Sequence, residues 1–185
     1  MPKDKNTILL KRLKANDQQA LKTIFDEHYP AVYKAIYRLI TDQGISQELA
    51  QNVFIQFWEK RHKIQITGIL GGYLRRMGIN QALEHLRRKK YEIQEISEAH
   101  SGLTTSAEDI YMDGELQTQI NKAVDTLPDR CKTIFVLSRF EQLSHKEIGK
   151  KLEISPKTVE NQISIALKSL KKLLKNYLQS FLFFF

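Results

Sequence analysis

The polar side chains whose types and spacing could do chemistry are densest near the end of the chain, in LSHKEIGKKLEISPKTVENQISIALKSLKKLL. Ser144 and Glu147 stand at the spacing of a capping box, in which each side chain satisfies a free backbone N–H at the start of a helix. Ser155 followed by Pro156 is typical of a second N-cap, because the missing proline N–H has no helical partner at that position anyway. Two capped helices joined by a short turn, with another helix through 134–137 before them, predict a helix-turn-helix.

The second of these helices has two faces, because at 100° per residue its apolar side chains fall on one arc and its polar side chains on another. The apolar arc, which we expect to be buried, consists of Val159, Ile163, Ala166, Leu167, Leu170, Leu173 and Leu174. The polar arc consists of Lys157, Glu160, Asn161, Ser164, Lys168, Lys171, Lys172 and Lys175. Amide and carboxylate side chains can discriminate bases and lysines bind phosphates, so this order predicts a recognition helix in the major groove of DNA. The alternative is a structural helix whose charged face is only solvated.

The composition is that of a basic protein in which no catalytic apparatus can be recognised. Its 185 residues include 29 Lys and Arg against 21 Asp and Glu, a formal net charge of +8. An excess of this size suggests a polyanionic partner, either nucleic acid or an anionic membrane, although solubility alone could also explain it. Cys131 is the single cysteine and the five histidines are scattered, so we expect a cytoplasmic location and no metal site. No nucleophile–base pair or phosphate-binding loop can be named, so we expect no enzymatic activity, no cofactor and no small-molecule substrate.

An uneven distribution of charge predicts two domains. Between Glu92 and Asn121 there are seven acidic residues and no Lys or Arg. The middle of this stretch, SEAHSGLTTSAED, is small and polar with no apolar period, which is typical of a flexible linker. The predicted organisation is an N-terminal domain at 1–91, an acidic linker at 92–114, a C-terminal domain at 115–178 and an apolar tail at 179–185. The tail is too short to span a bilayer, so we expect it either to pack as a final helical turn or to dock on a partner.

The N-terminal domain shows helical periodicity and no strand alternation, so the predicted fold class is all-α. One apolar stripe with a 3.6-residue period runs through Phe25, Tyr29, Val32, Ile36, Leu39 and Ile40. Pro30 interrupts it, so we expect a kink or a helix that restarts there. A second stripe contains Leu49, Ala50, Val53, Phe54, Phe57 and Trp58. The glycines from Gly68 to Gly72 predict a loop, and a third helix from about Tyr73 ends in the consecutive basic residues Arg87 to Lys90.

Two separate parts of the chain resemble the extracytoplasmic-function (ECF) sigma factors of bacterial RNA polymerase, within the sigma-70 family. The block LPDRCKTIFVLSRFEQLSHKEIGKKLEISPKTVENQISIALKSLKKLL resembles their region 4, which binds the promoter −35 element. SQELAQNVFIQFWEKR is similar to the region 2 helix that grips the polymerase clamp, and YLRRMGINQALEHLRRKK to the segment that melts the −10 element. The resemblance implies a region 2 helical bundle and a region 4 helix-turn-helix joined by the acidic linker.

The chain departs from the usual pattern of that family at several positions. In the region 2 helix, Gln47 stands in place of one of two paired acids and Asn52 in place of a further acid. Both changes remove negative charge from the implied polymerase-binding surface. Gly149 stands where alanine is usual, so we expect the helix before the turn to be weakened by up to about 1 kcal/mol, while close packing is allowed.

Three sets of functional residues follow from the resemblance. The set implied for −35 DNA is Ser144, Lys146, Ser155, Lys157, Thr158, Glu160, Asn161, Ser164 and Lys168. The set implied for −10 DNA is Gly71, Gly72, Tyr73, Arg76, Asn80, Arg87 and Arg88, with the glycine loop shaped round a base flipped out of its strand. The set implied for core polymerase is Glu48, Leu49, Gln51, Phe54 and Trp58. The two aromatic residues of the last set also fit a purely structural role in the core.

The implied function is that of a sigma factor, which directs core RNA polymerase to promoters by binding −35 DNA and melting −10 DNA. Its implied partners are core RNA polymerase, promoter DNA and an anti-sigma factor. For the acidic linker, the resemblance implies a path near the RNA exit channel, while a disordered spacer fits the same residues. The alternative function is a helix-turn-helix regulator of the response-regulator output type, which would also need a receiver or ligand domain.

Overall fold

The computed structural model describes residues 2–66, 68–96 and 115–182, with side chains placed for residues 6–66, 68–89 and 120–173. In those ranges the chain forms α-helices and no strand, which confirms the predicted all-α fold class. It divides into two units, Met1–Thr105 and Ser106–Phe185. The helices of the first unit are α1 (Pro2–Lys14), α2 (Gln18–Ile40), α3 (Gln43–Glu59) and α4 (Leu70–Ile96). Those of the second unit are α5 (Glu115–Asp125), α6 (Asp129–Arg139), α7 (His145–Leu152) and α8 (Pro156–Leu182).

The predicted linker and tail lie largely outside the described residues. Since α4 is helical to Ile96, residues 92–96, which the sequence assigned to the linker, belong to the end of that helix. Residues 97–114 and 183–185 are not described, and α8 continues through the first part of the predicted tail to Leu182. The domain limits and the path of the linker therefore stay predictions.

The core of the first unit forms round α2, which packs against α1, α3 and α4. Its apolar stripe is inaccessible to solvent at Ile24, Val32 and Ile36, as a 3.6-residue period requires of a helix surrounded by neighbours. Aspartates cap two of these helices. Asp17 Oδ1 accepts a backbone N–H at the start of α2 at 2.8 Å, and Asp42 Oδ1 accepts one at the start of α3 at 2.8 Å.

Helix α2 continues through Pro30 without a break, so the predicted restart is wrong. A proline inside a helix removes one hydrogen bond and costs about 3 kcal/mol or more. Ile24 before the proline and Val32 after it are both fully buried. Packing on both sides of Pro30 therefore offsets the local cost and keeps α2 as one helix.

The predicted glycine loop is wrong at Gly71 and Gly72, which lie in the first turn of α4. That helix begins at Leu70 rather than at Tyr73, because Leu70 is buried and anchors the first turn. A Cβ on Gly71 would lie 3.2 Å from Nδ1 of His28, so glycine lets α4 approach α2 closely at this point. Gly71 therefore serves helix packing here rather than an irregular backbone, whereas a Cβ on Gly72 would meet no atom within 4 Å.

The second unit is built on contacts of α8 with α5, α6 and α7. Its fully buried side chains include Ile134 and Leu137 of α6, Ile148 of α7, and Val159 and Ala166 of α8. The order α6, α7, three-residue turn and α8 confirms the predicted helix-turn-helix. None of the helices within the described ranges of either unit is long and apolar enough to cross a membrane.

Both predicted N-caps of the helix-turn-helix are present. Ser144 Oγ accepts the Glu147 backbone N–H at 3.3 Å, and the Ser144 backbone N–H donates to Glu147 Oε2 at 2.9 Å. These two bonds complete the capping box at the start of α7. At the start of α8, Ser155 Oγ accepts the Thr158 backbone N–H at 3.0 Å.

The turn between α7 and α8 explains the glycine that replaces the usual alanine. Glu153 has a left-handed backbone with φ 55°, which turns the chain sharply at the end of α7. A Cβ on Gly149 would lie 2.7 Å from the carbonyl oxygen of Ile154. Glycine is therefore needed for the close return of the turn, and its low helix propensity is only part of its effect. Single left-handed residues other than glycine also occur in three further helix connections, at Asn16, Thr41 and Gln142.

Candidate nucleic-acid and polymerase interfaces

The first turns of α8 present charged and amide side chains to solvent. Lys157, Glu160 and Asn161 are all exposed, as are Ser164 and Lys168 one and two turns further on. Lys157 Nζ donates to Glu160 Oε2 at 2.9 Å. This hydrogen bond, together with the positive charge of the lysine, holds the pKa of the Glu160 carboxyl below its usual range. In this ion pair Lys157 offsets the negative charge of Glu160, and either side chain can rotate toward a DNA base.

Hydroxyl groups in the predicted −35 set are engaged within the helices. Ser144 Oγ donates to Glu147 Oε2 at 2.7 Å, and the hydroxyls of Ser155 and Thr158 share a hydrogen bond of 2.8 Å. Ser164 Oγ donates to the Glu160 carbonyl oxygen at 3.0 Å, which leaves that hydroxyl only its acceptor capacity. The structure therefore gives the serines and the threonine a positioning role, and leaves the lysines, Glu160 and Asn161 as the groups presented outward. Lys146 on α7 is exposed beside the cap.

The apolar arc predicted for α8 is only partly buried. Val159, Ile163, Ala166 and Leu170 are buried, as predicted. Leu167 and Leu173 are 43% and 40% exposed, so their prediction as buried residues is wrong. Leu167 lies at the edge of the arc, and Leu173 follows Leu170, the last buried residue described on this helix. The side chains of Leu174 and Lys175 lie outside the described residues.

On α4, four residues of the predicted −10 set share one face of the helix. Tyr73, Arg76, Asn80 and Arg87 fall within an arc of roughly 60° and extend over about 21 Å of the helix. Arg76, Asn80 and Arg87 are exposed and Tyr73 is half-buried, with its ring centroid 6.3 Å from that of Phe57. We call these four residues the α4 stripe.

Two other members of the −10 set, Gly71 and Arg88, lie away from the α4 stripe. Arg88 is turned by about 100° from Arg87 and forms an ion pair with Glu84. Gly71 faces His28 of α2, as described above. The structure thus brings four of the seven predicted residues together, places Gly72 one turn before Arg76, and separates Gly71 and Arg88 from the stripe.

An apolar groove of about 380 Å³ lies between the first turns of α2 and the second half of α3. Three of the five predicted polymerase-binding residues line it, namely Gln51, Phe54 and Trp58. Glu48 is exposed one turn earlier on α3, and Leu49 lies on another side of that helix. We call this feature the α2–α3 groove.

Phe54 and Trp58 both line the α2–α3 groove, and they differ in how far they are buried. Phe54 is only 3% exposed and its ring lies 4.8 Å from that of Phe25, in an edge-on arrangement. Trp58 is half-buried, and the guanidinium of Arg61 lies over its ring at 4.2 Å from the centroid. The sequence left open a purely structural role for Phe54 and Trp58. Phe54 has that role, because it is buried in the core, and it also borders the groove.

Sequence reasoning missed the remaining lining residues of the α2–α3 groove. They are Gln18, Leu21, Lys22 and Phe25 on α2 and Ile55 on α3. Ile55 is 55% exposed, and the signal that could have found it is an isoleucine outside the apolar stripe of α3. The residues of α2 could not be found in this way, because their place opposite α3 depends on how the two helices pair.

A capped helix-turn-helix with a basic recognition face, in a chain with a second all-helical unit, defines a DNA-binding protein of the helix-turn-helix class. Comparison with known protein families shows which family within this class the chain belongs to. The Sigma-70 region 2 family matches residues 24–91, and the family Sigma-70, region 4 matches residues 117–170. Together the two matches span more than half of the chain. The chain therefore belongs to the sigma-70 family, and its relatives identify it as one of the ECF sigma factors.

The relatives with that description include SigW and SigE. The chain is 28% identical over 178 residues to the ECF RNA polymerase sigma factor SigW of Bacillus subtilis (strain 168), covering 90% of this chain and 95% of SigW. It is 29% identical over 171 residues to the ECF RNA polymerase sigma factor SigE of Mycolicibacterium smegmatis, covering 88% of this chain and 66% of SigE. The family resemblance of the sequence is thereby confirmed.

Two solved structures share the fold. One is the sigma factor RpoE in complex with the anti-sigma factor NepR from Bartonella quintana, with a TM-score of 0.58 at 19% identity over 83% of this chain and 96% of that chain. The other is CnrH in complex with the cytosolic domain of CnrY, with a TM-score of 0.53 at 18% identity over 91% of this chain and 96% of that chain. The response-regulator alternative is not favoured, because the first unit matches region 2 and its described residues show no βα alternation.

Proposed function

We propose that this chain directs core RNA polymerase to promoters, with α7 and α8 binding −35 DNA and α4 melting −10 DNA. The observation that carries the proposal is the capped recognition helix, whose exposed first turns present Lys157, Glu160 and Asn161 in a chain that also matches sigma-70 region 2. Lysines fix a protein on the phosphates, while amide and carboxylate groups read base edges. In this proposal the chain works beside the polymerase in the cytoplasm and catalyses no reaction of its own.

The α4 stripe supports the second half of the proposal. Single-stranded DNA is held by cations that follow its backbone and by aromatic rings on which bases stack. The stripe supplies both kinds of group on one face, with Arg76 and Arg87 as cations, Tyr73 as the ring and Asn80 as a hydrogen-bonding amide. Melted −10 DNA is therefore the ligand that its chemistry fits.

The α2–α3 groove supports contact with core polymerase. Its two walls carry lining residues at the spacing i, i+3, i+4 and i+7, from Gln18 to Phe25 on α2 and from Gln51 to Trp58 on α3. This spacing on two facing helices suits a helix of a partner laid along the groove. In this proposal the partner helix belongs to the polymerase.

The function is tested by run-off transcription with core polymerase and a library of promoters with randomised −35 and −10 elements. We expect the purified chain to produce promoter-dependent transcripts. The double substitution Lys157→Ala with Arg87→Ala should abolish them, because it removes one cation from each DNA-binding unit. Lys14→Ala, which removes a cation from α1, is the control and should leave transcription unchanged. Absence of any promoter-dependent transcript, or full activity of the double variant, would contradict the proposal.

The polymerase contact is tested by changing one exposed isoleucine of the α2–α3 groove. Ile55→Asp places a charge on the apolar surface, so we expect the affinity for core polymerase to fall by at least about tenfold, by the cost of desolvating a carboxylate. Ile8→Asp is the matched control, because Ile8 is 58% exposed on α1 and Ile55 is 55% exposed on α3. Co-elution with core polymerase on gel filtration measures both. Equal loss, or no loss, in the two variants would contradict a role for the groove.

An anti-sigma factor is the remaining partner in the proposal. One solved structure of similar fold holds RpoE with the anti-sigma factor NepR, and another holds CnrH with the cytosolic domain of CnrY. We expect a protein of the same host to bind this chain and to remove the promoter-dependent transcript from the reconstituted reaction. This part of the proposal fails if no host protein that binds the chain lowers transcription in that reaction.

A further inference from the structure

Ile165 is an apolar side chain that lies outside the buried face of α8. It is 47% exposed on α8. At 100° per residue it lies roughly 120° from Val159, the start of the buried stripe, whereas Leu167 lies only about 80° from Val159, at the edge of that stripe. The exposure of Leu167 is that of an edge residue, whereas Ile165 lies outside the buried stripe altogether.

The neighbours of Ile165 are the groups presented to DNA. Asn161 lies one turn before it and Lys168 three residues after it, and both are exposed. Ile165 lies about 40° from Asn161 and about 60° from Lys168 round the helix axis. Along the axis Ile165 is about 6 Å beyond Asn161, in the third turn of the recognition helix. An aliphatic group therefore stands beside the outward polar groups of α8, where water alone would favour a polar side chain.

The chemistry of the major groove offers one partner for such a group. Base edges there present hydrogen-bond donors and acceptors, and the single apolar group among them is the C5-methyl of thymine. Isoleucine cannot donate or accept a hydrogen bond, so it can read a base only through this methyl group. A cytosine in the same position would place a polar amino edge against the side chain.

We propose that Ile165 contacts the C5-methyl of a thymine in the duplex bound by α8, and that it thereby selects thymine at one position of the −35 element. This inference rests on the proposed function, because it requires α8 to lie in the major groove. Ile165 is a specificity-determining residue in this view, and Asn161 and Lys168 supply the neighbouring polar contacts.

The test replaces thymine by deoxyuridine, which lacks only the methyl group. The holoenzyme formed from the full chain and core polymerase first selects its −35 element from a randomised library. Each thymine of the selected element is then changed singly to deoxyuridine, and binding is measured by fluorescence anisotropy. We expect one position at which deoxyuridine weakens binding roughly fourfold, the effect of exposing one methyl-sized apolar group. With Ile165→Ala, that position should lose its sensitivity.

Leu173→Ala provides the matched control, because Leu173 is 40% exposed on α8 and lies about 100° round the helix axis from Lys172, the nearest residue of the polar arc. It should keep the deoxyuridine effect in full. The inference is overturned if a −35 element is selected but no thymine is sensitive, if Ile165→Ala keeps the sensitivity, or if Leu173→Ala also removes it. In those cases the proposed function stands, and Ile165 faces solvent or a protein partner. If no −35 element is selected at all, both proposals fall.

Discussion

The ion pair between Lys157 and Glu160 joins two side chains with opposite effects on DNA binding. Alone, a carboxylate on the recognition face would repel phosphates, and the lysine 2.9 Å away offsets part of that repulsion. The same lysine holds the pKa of Glu160 below its usual range, so the carboxylate stays ionised down to lower pH than a free glutamate would. Under the proposed function, Glu160 contributes discrimination at the expense of affinity.

Replacing that carboxylate separates the two effects. We expect Glu160→Gln to tighten the binding of the holoenzyme to all duplexes several-fold, because one negative charge is removed and Lys157 is released for phosphate. The ratio of affinities for the selected −35 element and a scrambled one should fall. Anisotropy titrations with both duplexes measure this, and Leu173→Ala, which leaves every charge of α8 in place, serves as the neutral control. Equal weakening on both duplexes would show that Glu160 is only structural.

A buried lysine makes the second unit depend on one carboxylate. Lys132 is only 7% exposed, and its Nζ lies 2.6 Å from Asp125 Oδ1. Asp125→Ala leaves the ammonium without this partner, so we expect the free energy of unfolding to fall by about 1 to 2 kcal/mol, reduced from the value for a fully buried pair because Asp125 is half-exposed. Lys132→Met removes the charge instead and should cost less. Urea denaturation compares them, and a larger loss for Lys132→Met would contradict this account.

At the scale of elements, the helix-turn-helix depends on a glycine that helix propensity alone would disfavour. Gly149→Ala places a Cβ 2.7 Å from the Ile154 carbonyl oxygen, so the turn has to shift. We expect a net loss of about 1 to 2 kcal/mol of unfolding free energy, because overpacking exceeds the gain in helix propensity.

Gly72 offers the opposite case in the first turn of α4. A Cβ there would meet no atom within 4 Å, so Gly72→Ala should stabilise the first unit by about 0.5 to 1 kcal/mol. Thermal denaturation of the two variants checks the sign of each change. A stabilising Gly149→Ala would mean that the turn relaxes easily and that glycine is dispensable there.

At the scale of the whole molecule, the chain provides one natural probe in each unit. Trp58, the single tryptophan, is half-buried in the first unit, and Cys131, the single cysteine, is buried in the second. Burial raises the pKa of the Cys131 thiol, and its Sγ lies 3.3 Å from the Gln162 carbonyl oxygen. The neutral thiol is therefore favoured in the folded state, and its reaction with a thiol reagent requires the second unit to open.

Two units with separate cores should unfold separately. In urea, we expect the change in Trp58 fluorescence and the onset of Cys131 labelling to have different midpoints. Asp125→Ala should move the Cys131 transition and leave the Trp58 transition in place. The stability of the second unit should also depend on pH. Since the Cys131 thiol has a higher pKa in the folded state than in the unfolded state, the second unit should lose stability as pH rises above the pKa of an unfolded cysteine. Coincident transitions that move together would contradict independent units.

The parts of the fold that could be predicted are those with local signals. Ser144 with Glu147, and Ser155 with Pro156, carry their cap chemistry within a few residues, so the helix-turn-helix followed from the sequence alone. The wrong restart at Pro30 and the wrong loop at Gly71 have a tertiary cause, since burial on both sides of the proline and the approach of His28 are not visible locally. For the same reason the sequence indicated one wall of the α2–α3 groove and missed the other.

Asn16, Thr41, Gln142 and Glu153 have left-handed backbone conformations, and they mark positions where a substitution can stabilise this protein. Each holds a side chain in a conformation that glycine adopts without strain, at a cost of about 1 kcal/mol or more. Thr41 is the most strained by type, because its branched Cβ crowds the backbone. Glycine at Thr41 and Glu153 would therefore raise the melting temperature of one unit each while leaving the α4 stripe and the α2–α3 groove unchanged.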